Sequence, residues 1–144
     1  MNTPQDSVYS QQFEIVGGDF TRGGQVATKI KRILKEIGID SSIIRRVVIA
    51  VYEAEMNVVM YAQKGILNLM VMPSEIDVVI VDEGQGIADI KLAMEEGYST
   101  ASVEMREMGF GAGMGLPNIK KNVDYFYIQS EVDVGSRLYI SIII

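Results

Sequence analysis

The stretch from Asp40 to Ala62 constrains the fold of this chain more than any other. Asp40 or Ser41 can cap a helix there, and helical spacing continues through Arg45, Val51 and Asn57 to about Ala62, where Lys64–Gly65 is expected to close it. Ile44, Val47, Val48, Val51 and Val58 form one apolar stripe, while Ile49, Met56 and Met60 lie on the other side. A helix that is apolar on two sides has to be covered on two sides, which requires a layered fold around it. Polar groups inside such a helix cost free energy unless they are paired. Glu53, Glu55 and Asn57 are therefore the first residues that need explaining.

The remainder of the chain supplies the covering elements. Phe13 and Ile15 alternate with Gln12 and Glu14, which predicts a strand ended by Gly17–Gly18. Val26, Ile30, Ile33, Leu34 and Ile37 predict a first helix stopped by Gly38. Ile66–Met72 and Ile76–Val81 read as strands around a turn at Pro73–Ser74, the second with the continuous apolar run of a central strand. A short helix over Asp89–Glu96, a Gly-rich loop over Gly97–Gly115, a helix from Pro117 to about Val123 and strands over Tyr125–Ser130 and Arg137–Ile144 complete the order. No repeat or linker divides the 144 residues, so residues 1–144 are expected to form one domain, with 1–10 as a flexible N-terminal segment.

Composition excludes several kinds of chemistry. The chain has no Cys and no His, so thiol catalysis, Cys-ligated zinc, a His base and a phosphorylatable His are absent, and proton transfer falls to a carboxylate, Lys or Tyr. A net charge of -6 without a basic cluster argues against a nucleic-acid partner. The polar start lacks the pattern of a signal peptide, and no run of about 18 apolar residues occurs, so no membrane association is expected and the cytoplasm is the expected compartment.

Three constellations can carry chemistry. Within the long helix, Glu53 and Asn57 lie about 40° apart around the axis, while Glu55 and Asn57 lie about 200° apart, so only Glu53 shares a side with Asn57. A carboxylate there can take a proton and an amide oxygen can hold Mg²⁺, although a polar pair at a helix surface has the same appearance. Asp82-Glu-Gly-Gln-Gly86 follows the central strand, where an Asp can accept from an amino group and Gly84 and Gly86 permit close backbone approach; a Gly turn into a helix is the alternative. Gly109-Phe-Gly-Ala-Gly-Met-Gly115-Leu-Pro-Asn leads into a helix, a pattern that suits phosphate or a hinge, and it matches neither G-x-G-x-x-G nor a Walker A loop.

Taken together, these elements resemble the GHKL (Bergerat-fold) ATPases. Glu53-x-x-x-Asn57 is similar to the N box, Asp82-x-Gly84-x-Gly86 to the G1 box, and Gly111-x-Gly113-x-Gly115-Leu116 to the G2 box. Gly135-Ser136 is similar to the family's late Gly-Thr element, and Gly97-Tyr-Ser-Thr with Gly115-Leu-Pro-Asn-Ile-Lys-Lys resembles the bacterial anti-sigma-factor serine/threonine kinases and their switch relatives. The resemblance runs from about Phe13 to Ile144. It implies an α/β fold, an α+β two-layer sandwich with a mixed, mainly antiparallel sheet and helices on one face. It also implies ATP and Mg²⁺ as cofactors, Glu53 as general base and Asn57 as metal ligand. Asp82, Gly84 and Gly86 would then form the adenine pocket, with Gly111, Gly113, Gly115 and Leu116 at the phosphates and Ser136 near the adenine.

The implied function is phosphorylation of a STAS-type partner protein and regulation of a sigma factor, with a homodimer as one available assembly. The alternative is an ATP-dependent binding switch of the same fold. Glu55, Glu95 and Glu96 read as solvated charge, and Glu55→Gln is expected to do little. Met105, Met108 and Met114 read as gap-filling residues of a loop.

Overall fold

A computed structural model of the chain describes residues 9–96 and 115–144. Strand β1 (Tyr9–Val16) is followed by a 3₁₀ turn (Phe20–Arg22), helices α1 (Gln25–Ile37) and α2 (Ser41–Tyr61), strands β2 (Ala62–Val71) and β3 (Glu75–Gly84) and a short α3 (Ile90–Ala93). Helix α4 (Gly115–Asn122) and strands β4 (Tyr125–Glu131) and β5 (Gly135–Ile143) complete the described order. β1 starts inside the stretch expected to be a flexible N-terminus; residues 1–8 lie outside the described residues.

The strands form one sheet in the order β1-β2-β3-β5-β4, and every pairing is antiparallel. Register shows how the period-2 pattern builds the core. Phe13, Leu67, Ile80, Leu138 and Ile128 stand opposite one another across all five strands, and the first four are buried. The adjacent row, Gln12, Asn68, Val79, Tyr139 and Tyr127, lies on the other face of the pleat. The first row joins a single core with Ile30 and Leu34 of α1, Val47 and Val51 of α2, and Ile119 of α4, which places these helices on one face of the sheet. This is the expected two-layer α/β arrangement, except that the described sheet is wholly antiparallel where a mixed one was expected.

Helix α2 starts where its sequence signal says, with the Asp40 carboxylate accepting from the Ser42 backbone N–H at 3.1 Å. It ends at Tyr61, next to the expected Ala62, but what closes it differs from expectation. The helix passes directly into β2 at Ala62, and Lys64 and Gly65 are strand residues, Gly65 opposite Asp82. A Cβ on Gly65 would stand 2.9 Å from the Val58 side chain, so this glycine lets β2 fold back against α2 and does not terminate the helix.

Glu55 requires a second correction. It is 2% exposed, and its carboxylate accepts from the backbone N–H groups of Gly24, Val26 and Ala27 at 3.0, 3.1 and 3.0 Å. Helix α1 has no side-chain cap of its own, because its N-cap is Gly24. A carboxylate borrowed from α2 satisfies the orphan donors and complements the positive end of the helix dipole. Glu95 and Glu96 are exposed, as expected, and Glu96 pairs with Lys121.

Candidate functional site

Glu53 and Asn57 lie one turn apart on α2, both half-buried, and α4 packs across this part of the helix through Leu116 and Ile119. The first residue of α4 completes the cluster. A Cβ on Gly115 would stand 3.3 Å from Asn57 Oδ1 and 3.5 Å from Glu53 Oε2, so a side chain here would fill the space that both groups face. Asn118, one turn further along α4, donates from Nδ2 to Glu53 Oε1 at 3.4 Å. The Asn57 amide oxygen makes no hydrogen bond to a described residue, which leaves it available as a ligand.

Burial pushes the Glu53 carboxyl above the ordinary glutamate range, against the opposing hydrogen bond from Asn118. A carboxylate shifted this way is a stronger base than a solvated one, which suits proton abstraction from a hydroxyl.

Asp82, near the exit of β3, forms the second centre. Its Oδ1 accepts from the Ser136 backbone N–H at 3.0 Å, and burial raises its pKa from the ordinary aspartate value while that hydrogen bond lowers it. One oxygen is thus engaged by the protein, and the other has no described partner. The β3 exit is held against the last turn of α2, where Gln85 N–H donates to Tyr61 O at 3.4 Å, one turn beyond Asn57. The two centres therefore share one structural support.

The glycines around Asp82 have a structural reason for being there. A Cβ on Gly84 would lie 2.7 Å from Ala62 Cα, and one on Gly86, which has a φ of 71°, would lie 2.3 Å from Glu131 O. Both are required by backbone crossings at the rim of the site. Ser136 presents its backbone to Asp82, while its hydroxyl lies 3.0 Å from that of Ser130, and Ser130 Oγ accepts from Ile87 N–H at 2.6 Å. Leu116 is buried at 7% exposure with its side chain in the core, so only its backbone could face a ligand. Gly111, Gly113, the Gly97-Tyr-Ser-Thr segment and Met105, Met108 and Met114 lie outside the described residues.

Sequence reasoning missed Ser130 and Asn118 as members of these centres. Their partners come from elements 43 and 65 residues away, and no local spacing announces them.

The profile of the histidine kinase-like ATPase domain matches residues 20–142, an interval that contains both centres. The chain belongs to the histidine kinase-like ATPase family. It is also 29% identical over 112 residues to the serine/threonine-protein kinase RsbT of Bacillus subtilis (strain 168), covering 75% of this chain and 78% of that protein. The GHKL resemblance is thereby borne out, and membership of an ATPase family implies ATP binding. The described residues fit such a ligand: the Gly115 cradle leaves room beside an unengaged amide oxygen, and Asp82 keeps a free acceptor. Among the described residues no three Asp, Glu, His or Cys side chains gather to hold a metal by themselves, and no helix is long and apolar enough to cross a membrane.

If Asp82 is the acceptor of the adenine amino group, Asp82→Asn is expected to weaken ATP binding about ten- to a hundred-fold with the fold retained, because a hydrogen bond to a charged group is worth about 1.5–3 kcal/mol. GTP, which offers a carbonyl where adenine offers an amino group, should bind poorly to the wild type. Calorimetry giving equal ATP affinity in both proteins would remove Asp82 from the site.

Proposed function

We propose that the chain is an ATP- and Mg²⁺-dependent protein serine/threonine kinase of the anti-sigma-factor type, acting on a STAS-type partner and through it on a sigma factor. The observation that carries this reading is the convergence of Glu53, Asn57 and Gly115 on one space, with Asp82 on the same support. The similarity to a serine/threonine-protein kinase favours a hydroxyl as acceptor.

Bound ATP would supply the γ-phosphoryl group and Mg²⁺ would offset its charge, the usual division of labour in phosphoryl transfer. Glu53 takes the proton of the acceptor hydroxyl as its oxygen bonds to the γ-phosphorus. The bond from that phosphorus to the bridging oxygen breaks, and ADP leaves. Asn57 Oδ1 would hold the metal, the backbone at Gly115 would line the phosphates, and Asp82 would accept from the adenine amino group, its Oδ1 being fixed by the Ser136 N–H. Glycines 111 and 113 are assigned to the phosphates with Gly115. A groove of about 650 Å³ between α1 and α2, lined in part by Ala27, Lys31, Val48, Tyr52 and Glu53, provides an approach to the base.

Incubation of the chain with labelled ATP and a STAS-domain protein tests the reading. Label on a Ser or Thr of the partner supports it, and ATP-dependent partner binding without any transfer would replace it with the switch. A pH profile adds a second check. Because burial raises the Glu53 pKa, the base is lost to protonation at a higher pH than a solvated glutamate would be. At saturating ATP, the acid limb of kcat/KM for the protein substrate should therefore lie above the ordinary glutamate value. A limb at or below that value would contradict the assignment.

A further inference from the structure

We propose that Asn118 is the positioning residue for Glu53, holding Oε1 so that Oε2 is the oxygen that receives the substrate proton. The inference rests on the kinase reading for its catalytic half. Its geometric half stands on the contact between α4 and α2. A carboxylate acting as base can present either oxygen, and an unrestrained side chain samples both; a donor fixed on one of them leaves the other aimed. Asn118 Nδ2 lies 3.4 Å from Oε1, whereas Oε2 faces the space kept open by Gly115, 3.5 Å from where a Cβ there would stand. The two oxygens are therefore in different surroundings.

The donor itself is well held. Leu116 and Ile119, on either side of it in α4, are 7% and 0% exposed. Asn122 Nδ2 donates to the Asn118 carbonyl at 2.8 Å, and Arg46 of α2 donates from Nε to the Asn122 carbonyl at 2.9 Å while pairing with Asp124 at 3.2 Å. α2 thus anchors the C-terminal end of α4 through Arg46 and meets it again near the start through Glu53. An amide suits this role because it donates without competing for the proton, whereas a Lys would neutralise the base and a carboxylate would repel it. The same hydrogen bond opposes the upward push of burial on the Glu53 carboxyl.

Two variants and one spectroscopic readout test the proposal. Asn118→Leu removes the donor, and Asn118→Asp keeps the shape but replaces the donor with an acceptor. Each is expected to lower kcat about ten-fold or more, with ATP affinity and the KM for the protein substrate within about two-fold of wild type. A residue that only fills space would tolerate the isosteric Asp. Independently of activity, the Asn118 side-chain amide resonances in a ¹⁵N-correlated spectrum should move in Glu53→Ala. Wild-type kcat in both Asn118 variants, or Asn118 resonances indifferent to Glu53→Ala, would overturn the proposal. If the wild type transferred no phosphoryl group, the kinase reading would fall, and the resonances would still decide whether Asn118 holds Glu53.

Discussion

Glu53→Gln is expected to bind ATP and Mg²⁺ within a few-fold of wild type while transferring phosphoryl groups about 10²–10⁴ times more slowly. The amide keeps the shape of the side chain and one oxygen, so Asn57 and Gly115 retain their geometry, but it cannot take a proton from the acceptor hydroxyl. Single-turnover rates with a saturating partner would show the loss in the chemical step, and equal rates would remove Glu53 as base. The same variant should be more stable than wild type at neutral pH. A carboxyl whose folded pKa lies above its unfolded value favours folding only while protonated; that contribution is complete below the unfolded pKa and is lost as pH rises through the folded one. The buried charge therefore opposes folding at neutral pH, and glutamine removes the opposition. A melting temperature lowered by Glu53→Gln would contradict this.

Glu55→Ala is expected to destabilise the fold strongly. It strips the acceptor from three backbone N–H groups at the start of α1, two of them in contacts that are fully buried. Leaving buried donors unsatisfied costs about 1–3 kcal/mol each, and relaxation and water entry recover part of the sum, so a net loss of about 3 kcal/mol or more is expected. For a chain of 144 residues this lowers the melting temperature by about 10 °C. Glu55→Gln should fall between, since one oxygen survives while its new N–H₂ group faces donors. Amide hydrogen exchange at Gly24, Val26 and Ala27 would report the loss directly. Unchanged protection and an unchanged melting temperature in Glu55→Ala would show that another group caps α1.

The contrast between Glu53 and Glu55 shows what was legible in the sequence. Helical geometry alone separated them by side, so Glu53 could be grouped with Asn57 and Glu55 could not. The role of Glu55 was hidden because its partners are backbone groups 28 to 31 residues earlier, and nothing in the spacing of side chains marks a carboxylate that caps another helix. The strands and helices were readable where periodicity and caps agreed, as at Asp40 and Gly38. The end of α2 near Ala62 was legible, but Gly65 was misread as its terminator, because a glycine that serves a close contact with Val58 looks the same in sequence as a terminating one. At the β3 exit the motif singled out Asp82, Gly84 and Gly86, but it could not show that the two glycines are required by crossing backbone, or that Ser130 buttresses Ser136.

The most direct test of the account is a crystal structure of the chain with Mg²⁺ and a non-hydrolysable ATP analogue. The adenine amino group should lie on the second oxygen of Asp82, the metal on Asn57 Oδ1, and the terminal phosphate beside Gly115 within reach of Glu53. A nucleotide bound elsewhere, or one whose phosphates lie away from Gly115 with Glu53 and Asn57 untouched, would contradict it.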